Sequence, residues 1–290
     1  MSKVKTAVLP VAGWGTRVLP ATKSIPKPML PIADAPAIDY IVQEAVESGI
    51  KHIILVTNRY LRAIEDYFDE NPELIHILEM KNNQKLLQRI KSIENMVRIS
   101  VVRQPSPRGL GHAVLMAREI VGNEPFAVML GDDLVWSEKT PCLKQLIDVY
   151  DETSASVLGV IKVPASEVSK YGVIAGEAQG SKLTKVTGLV EKPAINEAPS
   201  DLAVVGRYVL SPKIFDFLET TLPGKGNEIQ LTDALEALLG AESIYACEFE
   251  GVRYDTGDTV GWLQACIEYT LRRPEFAPAM QEYFQKLQLK

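Results

Sequence analysis

The first 130 residues alternate short, largely apolar runs with longer stretches in which apolar positions return every three or four residues. Residues 4–11, 52–57, 99–103 and 126–130 have the apolar density of strands buried on both faces. Between the first two runs, Ile38, Ile41, Val42, Ala45 and Val46 follow helical spacing and Gly49 supplies a stop. A helix is therefore predicted over residues 37–48, and the same pattern predicts helices over 60–68 and 111–121. Strand and helix in alternation imply a mostly parallel sheet with helices on both faces.

After about Asp151 the pattern changes. Residues 156–163, 172–175, 183–190 and 203–210 read as strands with no long helix between them, which predicts an antiparallel addition covering one end of the main sheet. Helices are predicted at 212–219, 230–239, 259–271 and 275–287. Residues 71–95 are polar and helical, suited to solvent or to a subunit contact. There is no internal repeat, low-complexity tract or Gly/Ser linker. The expectation is one α/β domain over 1–290, divided into residues 1–150, 151–258 and a C-terminal helical part, 259–290.

Composition narrows the partners. The chain is 46% apolar and 23% charged, ordinary for a soluble globular protein. A net charge of −6 gives no global attraction for nucleic acid, so an anionic substrate must be met by a local cluster of cations and backbone N–H groups. Cys142, Cys247 and Cys266 form no C-x-x-C pair, and reduced thiols packed in apolar surroundings are expected. The start lacks the apolar stretch and cleavage site of a signal peptide. No apolar run approaches the roughly 20 residues that cross a bilayer. A cytoplasmic protein with no membrane and no nucleic-acid partner is the expectation.

The chemistry concentrates where predicted strands end. After the first strand comes Gly13-Trp14-Gly15-Thr16-Arg17, followed by Pro20, Lys23, Pro26, Lys27, Pro28 and Pro31. Glycines there let backbone approach a phosphate closely. A dinucleotide-binding loop would pass straight into a helix, which these prolines forbid, and the Gly-Lys-Ser/Thr ending of a P-loop is absent. A dehydrogenase is thereby excluded. The segment is expected to run extended, laying Arg17, Lys23 and Lys27 along one ribbon; a solvated Pro-rich surface loop is the alternative. Asp132 and Asp133 follow the fourth strand, at the carboxyl end where ligands collect in open α/β sheets. A carboxylate there can hold Mg²⁺ against phosphate oxygens, or simply cap a turn. Asp255 in Arg253-Tyr254-Asp255 is a second such group. Taken alone, Glu191-Lys192 reads as a solvated ion pair, and His112 as a residue packing at a helix start.

The segment Gly-x-Gly-Thr-Arg…Lys-Pro-Met-Leu-Pro resembles the signature of sugar nucleotidylyltransferases. The wider chain is similar to the bacterial UTP–glucose-1-phosphate uridylyltransferases. The similarity runs through Gly109-Leu110-Gly111-His112-Ala113, residues 122–127, Gly131-Asp132-Asp133, residues 170–174, Val190-Glu191-Lys192-Pro193, residues 198–200, 206–210 and 226–234, and Arg253-Tyr254-Asp255-Thr256-Gly257. One position departs: Pro28 stands where that family usually has Glu, and Pro is what the related thymidylyl- and guanylyl-transferring enzymes often carry.

The resemblance implies a Rossmann-like three-layer sandwich with a mixed, mainly parallel central sheet and a smaller antiparallel sugar-binding addition, the nucleotide-diphospho-sugar transferase fold. It implies nucleotide binding in residues 1–150 and sugar binding in 151–258. The implied reaction is UTP plus glucose 1-phosphate giving UDP-glucose and pyrophosphate, with Mg²⁺, in a homo-oligomer (dimer or tetramer). Backbone of Ala12 and Gly13 would meet the base, Gln104 would read its edge, and Gly109 and Gly111 would let backbone approach the nucleotide. Gly15, Thr16 and Arg17 would cradle the β- and γ-phosphates, and Lys27 would reach the α-phosphate. Asp132 and Asp255 would hold the metal. Glu191 would take sugar hydroxyls and Lys192 the sugar phosphate, beside Tyr171, Gly172 and Val205. Arg17, Lys27, Asp132 and Lys192 form the implied catalytic set. Pro28 keeps a dTTP-using thymidylyltransferase as the alternative. A non-catalytic nucleotide-sugar-binding regulator would be expected to have lost the Gly-Thr-Arg ribbon or the acidic ligands, and all are present.

Overall fold

In a computed structural model, which describes residues 2–288, the four predicted N-terminal strands pair in parallel. Met1 and the last two residues of the expected C-terminal part, Leu289 and Lys290, lie outside the described residues. The strand order is Arg98–Arg103, His52–Thr57, Thr6–Pro10, Phe126–Met129, and then Leu202–Leu210, Ser156–Lys162, Ile244–Glu248, Leu183–Glu191 and Gly172–Ala178. Leu202–Leu210 runs antiparallel to Phe126–Met129, with Leu210 opposite Phe126, and is the seam between the two halves. The addition expected as antiparallel is thus a continuation of one nine-stranded sheet, and it is not wholly antiparallel, since Ile244–Glu248 pairs in parallel with Ser156–Lys162. Its edge strand also touches back onto the seam at Val173–Ala203, so this half curls on itself.

The central strands are apolar on both faces because helices cover both. Val8 packs among Phe126, Phe215 and Leu235 on one side. Leu9, the next residue and therefore on the opposite face, packs among Ile38, Ile41 and Leu146 on the other. Helix Ala37–Glu47 ends beside Gly49, whose φ of 96° no β-carbon favours. The predicted helix over 111–121 is two shorter ones, Leu110–Leu115 and Arg118–Val121. The helix predicted from residue 60 begins at Arg62, and the one predicted from 275 begins at Ala277. Residues 71–95 form two helices, Pro72–Met80 and Gln84–Glu94, each begun by an Asn side chain that accepts a backbone N–H. Cys142 and Cys247 are buried as expected, but Cys266 is only half-buried. Among the described residues no helix is long and apolar enough to cross a membrane.

Strands at Asp133–Trp136, Ile244–Glu248 and Val252–Asp255 are absent from the sequence reading. The first and third form a two-stranded antiparallel ribbon outside the main sheet, with Asp255 opposite Asp133. That register gathers the carboxylates of the site.

Candidate active site

The segment after the first strand does not run extended. It coils into three single 3₁₀ turns, Thr16–Val18, Ala21–Lys23 and Lys27–Met29. Proline blocks a continuing helical ladder, yet one i to i+3 turn tolerates it near the start, where its missing N–H is not needed. Gly15 sits at φ 63°, and a β-carbon there would come 3.0 Å from Lys27 Cβ. Thr22 Oγ1 donates to the Gly15 carbonyl at 2.7 Å and holds the coil closed. Pro28 is buried and lies against Gly131, where any added β-carbon would meet Val11 and Pro28.

Coiling brings the cations to Asp132. Lys27 Nζ donates to Asp132 Oδ2, and Arg17 Nη2 lies 3.7 Å from the same oxygen. Arg17 keeps 65% of its side chain exposed, so it can turn to a ligand, whereas Lys27 is largely enclosed. Lys23 remains exposed. Burial acts to raise the Asp132 carboxyl, but Lys27, then Arg17 and Arg253, outweigh it and hold the group below the usual carboxylate range.

Asp133, the first residue of its strand, has other partners. Its Oδ2 accepts the Gly206 N–H at 2.7 Å and its Oδ1 accepts Arg253 Nε at 2.8 Å. It serves the frame. Asp255 accepts the Gly257 N–H at 2.8 Å, and its Oδ2 lies 3.3 Å from Arg253 Nη2. Burial pushes its carboxyl up; Arg253 opposes this, while Asp133 and Asp132 add to it. Thr256 binds the Asp132 carbonyl through its N–H at 2.8 Å and its hydroxyl at 2.9 Å. A β-carbon on Gly257 would stand 2.6 Å from Asp255 Oδ1, 2.7 Å from Arg17 Nη2 and 2.8 Å from Asp132 Oδ2. Two carboxylates and a guanidinium therefore converge on one point. Among the described residues no cluster of three or more His, Cys, Asp or Glu forms a metal cage. Two carboxylates that leave the remaining positions to water and phosphate suit Mg²⁺.

From this point a cavity of about 480 Å³ opens towards the curled half of the sheet. Arg17, Asp132 and Asp255 line it, and so do Tyr171, Gly172, Glu191, Lys192 and Val205. Glu191 accepts Thr232 Oγ1 at 2.7 Å and pairs with Lys192 Nζ at 3.0 Å. Gly172 lets the strand pass close by, since a β-carbon would stand 3.1 Å from Thr232 Oγ1. Lys192 has a left-handed φ of 46°, uncommon outside glycine, and its N–H bonds the Tyr171 carbonyl at 2.9 Å. Arg207 lies in the core: wholly buried, it pairs with Glu44 at 2.7 Å and donates to the carbonyls of Gly206 and Asp133.

A second cavity, about 510 Å³, lies at the other end of the coil. Ala12, Trp14, Asn58, Tyr60 and Gln104 line it. Asn58 Nδ2 donates to the Ala12 carbonyl at 2.7 Å, and the rings of Trp14 and Tyr60 stand 5.3 Å apart at its rim. Gly13 and Thr16 are exposed along the backbone that leads from this cavity to Arg17.

Gly109 and Gly111 have a packing reason of their own. A β-carbon on Gly109 would meet the Ile229 carbonyl at 2.7 Å, and one on Gly111 would meet it at 2.8 Å. The close approach that these glycines permit is to the protein's own backbone. His112 is buried, as a locally packing residue would be. Four further residues carry the site without having been given a role from the sequence: Arg253, Gly257, Asn58 and Thr232. Arg253 had a legible signal, a cation two residues from Asp255; the others depend on long-range packing.

Comparison with known proteins gives a concordant result. Residues 6–270 match the nucleotidyl transferase family. The UTP–glucose-1-phosphate uridylyltransferase of Staphylococcus epidermidis (strain RP62A) is 50% identical over 289 residues, covering 100% of both chains. A UTP-bound UGPase from Acinetobacter baumannii superposes with a TM-score of 0.92 at 43% identity, covering 98% of this chain and 99% of that one. A UDP-glucose pyrophosphorylase crystallised with UDP-glucose superposes with a TM-score of 0.86 at 45% identity, covering 93% and 100%.

Proposed function

Because this chain belongs to the nucleotidyl transferase family, we propose that it acts as a UTP–glucose-1-phosphate uridylyltransferase. It joins UTP and glucose 1-phosphate into UDP-glucose and releases pyrophosphate. The observation that carries the site assignment is the convergence of Arg17, Lys27, Asp132 and Asp255 beside the cavity that Arg17, Asp132 and Asp255 line. A phosphate oxygen of the sugar phosphate attacks the α-phosphorus of UTP. The new P–O bond forms as the bond to the β-phosphate breaks, and its electron pair leaves with pyrophosphate. Both reactants are anions, so the protein's work is to neutralise charge and align the attack.

The uracil lies in the cavity of Ala12, Gly13 and Gln104. Gly15, Thr16 and Arg17 receive the β- and γ-phosphates, and Lys27 meets the α-phosphate. Across the site, Glu191 holds sugar hydroxyls and Lys192 the sugar phosphate, with Tyr171, Gly172 and Val205 around the ring. Residues 1–150 thus take the nucleotide and 151–258 the sugar. Asp132 and Asp255 are the residues that would hold Mg²⁺, which when bound neutralises phosphate charge between the two substrates. Lys27 and Arg17, now paired with Asp132, keep its carboxylate charged and lie beside the phosphates' path. Exposed Val260, Leu263 and Ile267 on helix Thr259–Leu271 favour assembly into a homo-oligomer. We place the enzyme in the cytoplasm.

The deciding experiment measures pyrophosphate release from glucose 1-phosphate with UTP, dTTP, CTP and GTP, with and without Mg²⁺. UTP is expected to be the best substrate, and activity to require the metal. Preference for dTTP would replace this reading with the thymidylyl one that Pro28 suggests. The Asp132→Asn variant is expected to lose activity and to need more Mg²⁺ for its half-maximal rate; an unaltered dependence would refute the metal assignment.

A further inference from the structure

Gln104 occupies the rim of the nucleotide cavity with its backbone pinned, since its N–H donates to the Thr57 carbonyl at 2.8 Å. Its side-chain nitrogen Nε2 has two neighbours: the Gly109 carbonyl at 3.1 Å and His112 Nδ1 at 3.0 Å. A carbonyl only accepts, so the Gly109 bond decides which end of the amide is nitrogen. An amide nitrogen has two hydrogens, and both are engaged here. His112 Nδ1 must then accept, which requires a neutral ring with its proton on Nε2. Burial, and after it the charge of Arg108, lowers the His112 pKa and favours that form.

The Gly109 carbonyl is itself held in place. Gly109 has a φ of 105°, which glycine tolerates. On either side of it the Arg108 carbonyl accepts Ile229 N at 2.7 Å, and Gly111 N donates to the Ile229 carbonyl at 2.8 Å. The amide is clamped from two directions, and Oε1 is the face left for a ligand.

We propose that His112 is a positioning residue for base selection: with the Gly109 carbonyl it holds Gln104 so that the base meets only an acceptor. Uracil carries a donor, N3–H, between two carbonyls, and a lone acceptor oxygen matches it. Cytosine carries an acceptor at N3, and the same oxygen repels it. The uracil edge is therefore selected against the cytosine edge by a residue one layer behind the ligand. Without His112 one amide hydrogen is released, the amide can turn its nitrogen to the cavity, and discrimination weakens. This inference rests on the uridylyl-transfer reading above.

The test measures kcat/KM for UTP and for CTP, with glucose 1-phosphate, in the parent enzyme, His112→Leu and His112→Asn. The parent is expected to favour UTP. His112→Leu removes the acceptor and is expected to shrink the UTP/CTP ratio about tenfold, with the UTP value falling more than the CTP value. His112→Asn puts an acceptor oxygen near the place of Nδ1 and is expected to keep the ratio within about twofold. If both values fall together in His112→Leu and the ratio stands, His112 only packs and the inference is overturned. Should the leucine variant fail to fold, His112→Phe, which likewise lacks a nitrogen acceptor, takes its place and is read by the same two outcomes. A parent without pyrophosphate release from UTP would remove the uridylyl reading itself, and the inference with it; an active parent with an unmoved ratio removes the inference alone.

Discussion

Two neighbouring aspartates show how this molecule divides its charge between frame and site. Asp133 is buried, and its oxygens are taken by the Gly206 N–H and by Arg253. It belongs to the same internal polar framework as Arg207, whose guanidinium meets Glu44 and the Asp133 carbonyl. Asp132, one residue earlier, meets Lys27 and Arg17 at the lining of an open cavity. Buried charges persist only when every donor and acceptor is matched. Charges meant for mobile phosphates must be able to exchange partners. The comparison teaches that a short sequence interval can hold both kinds, because Asp132 sits in the turn that precedes the strand Asp133–Trp136 while Asp133 is fixed as that strand's first residue.

The contrast can be broken from either side. The largest effect is expected from the frame. Glu44→Leu leaves Arg207 charged, buried and unpaired and removes the acceptor for the Leu143 N–H. It should cost about 3–5 kcal/mol of stability in urea denaturation. Adding Arg207→Met should recover most of that loss; a double variant as unstable as the single would contradict the pairing account. On the other side, Lys27→Met should lower kcat/KM by about 10²–10³-fold with little change in the denaturation midpoint. Near-normal turnover would sink the role given to Lys27.

Gly257→Ala probes the point where both sides meet. Its β-carbon would push between Asp255, Arg17 and Asp132. Turnover is expected to drop by about 10–100-fold and the concentration of Mg²⁺ giving half-maximal rate to rise. An unchanged metal requirement would show that the carboxylates do not act together. The smallest effect concerns pH. His112 is lowered by burial and by Arg108, so between its folded value and the ordinary 6.5 the unfolded chain binds the extra proton. Stability should therefore fall as pH falls through that window and stay level above it. His52, lowered by burial and by Arg98, acts in the same sense. Urea midpoints compared at about pH 7.5 and about pH 5.5 should differ less in His112→Leu than in the parent; an equal difference would leave the slope to other groups.

Much of the architecture was legible because its causes are local. The run at residues 52–57 is the strand His52–Thr57, and the pattern at 259–271 is the helix Thr259–Leu271. Lys27 and Asp132 stood out because lysine among prolines and aspartate after a buried strand are chemically conspicuous. Other features gave little signal. The ribbon of Asp133–Trp136 with Val252–Asp255 pairs four-residue strands more than a hundred positions apart. Both short runs carry charged residues, Asp133 in one and Arg253 and Asp255 in the other, so they lack the apolar density that marked residues 126–130. The proline segment was misread as extended because proline argues against a helix, while single 3₁₀ turns escape that argument.

Patterning along the chain was enough to assign the alternating sheet, the glycine loop with its cations and the acidic strand end, since propensity, periodicity and residue chemistry act over a few neighbours. The meeting of Asp132 with Asp255, the use of Gly109 and Gly111 against Ile229, and the clamp of His112 on Gln104 were settled by packing alone. Each joins segments whose separation in sequence says nothing of their distance in space. Long-range pairing depends on which surfaces bury together, and that is a property of the whole folded chain.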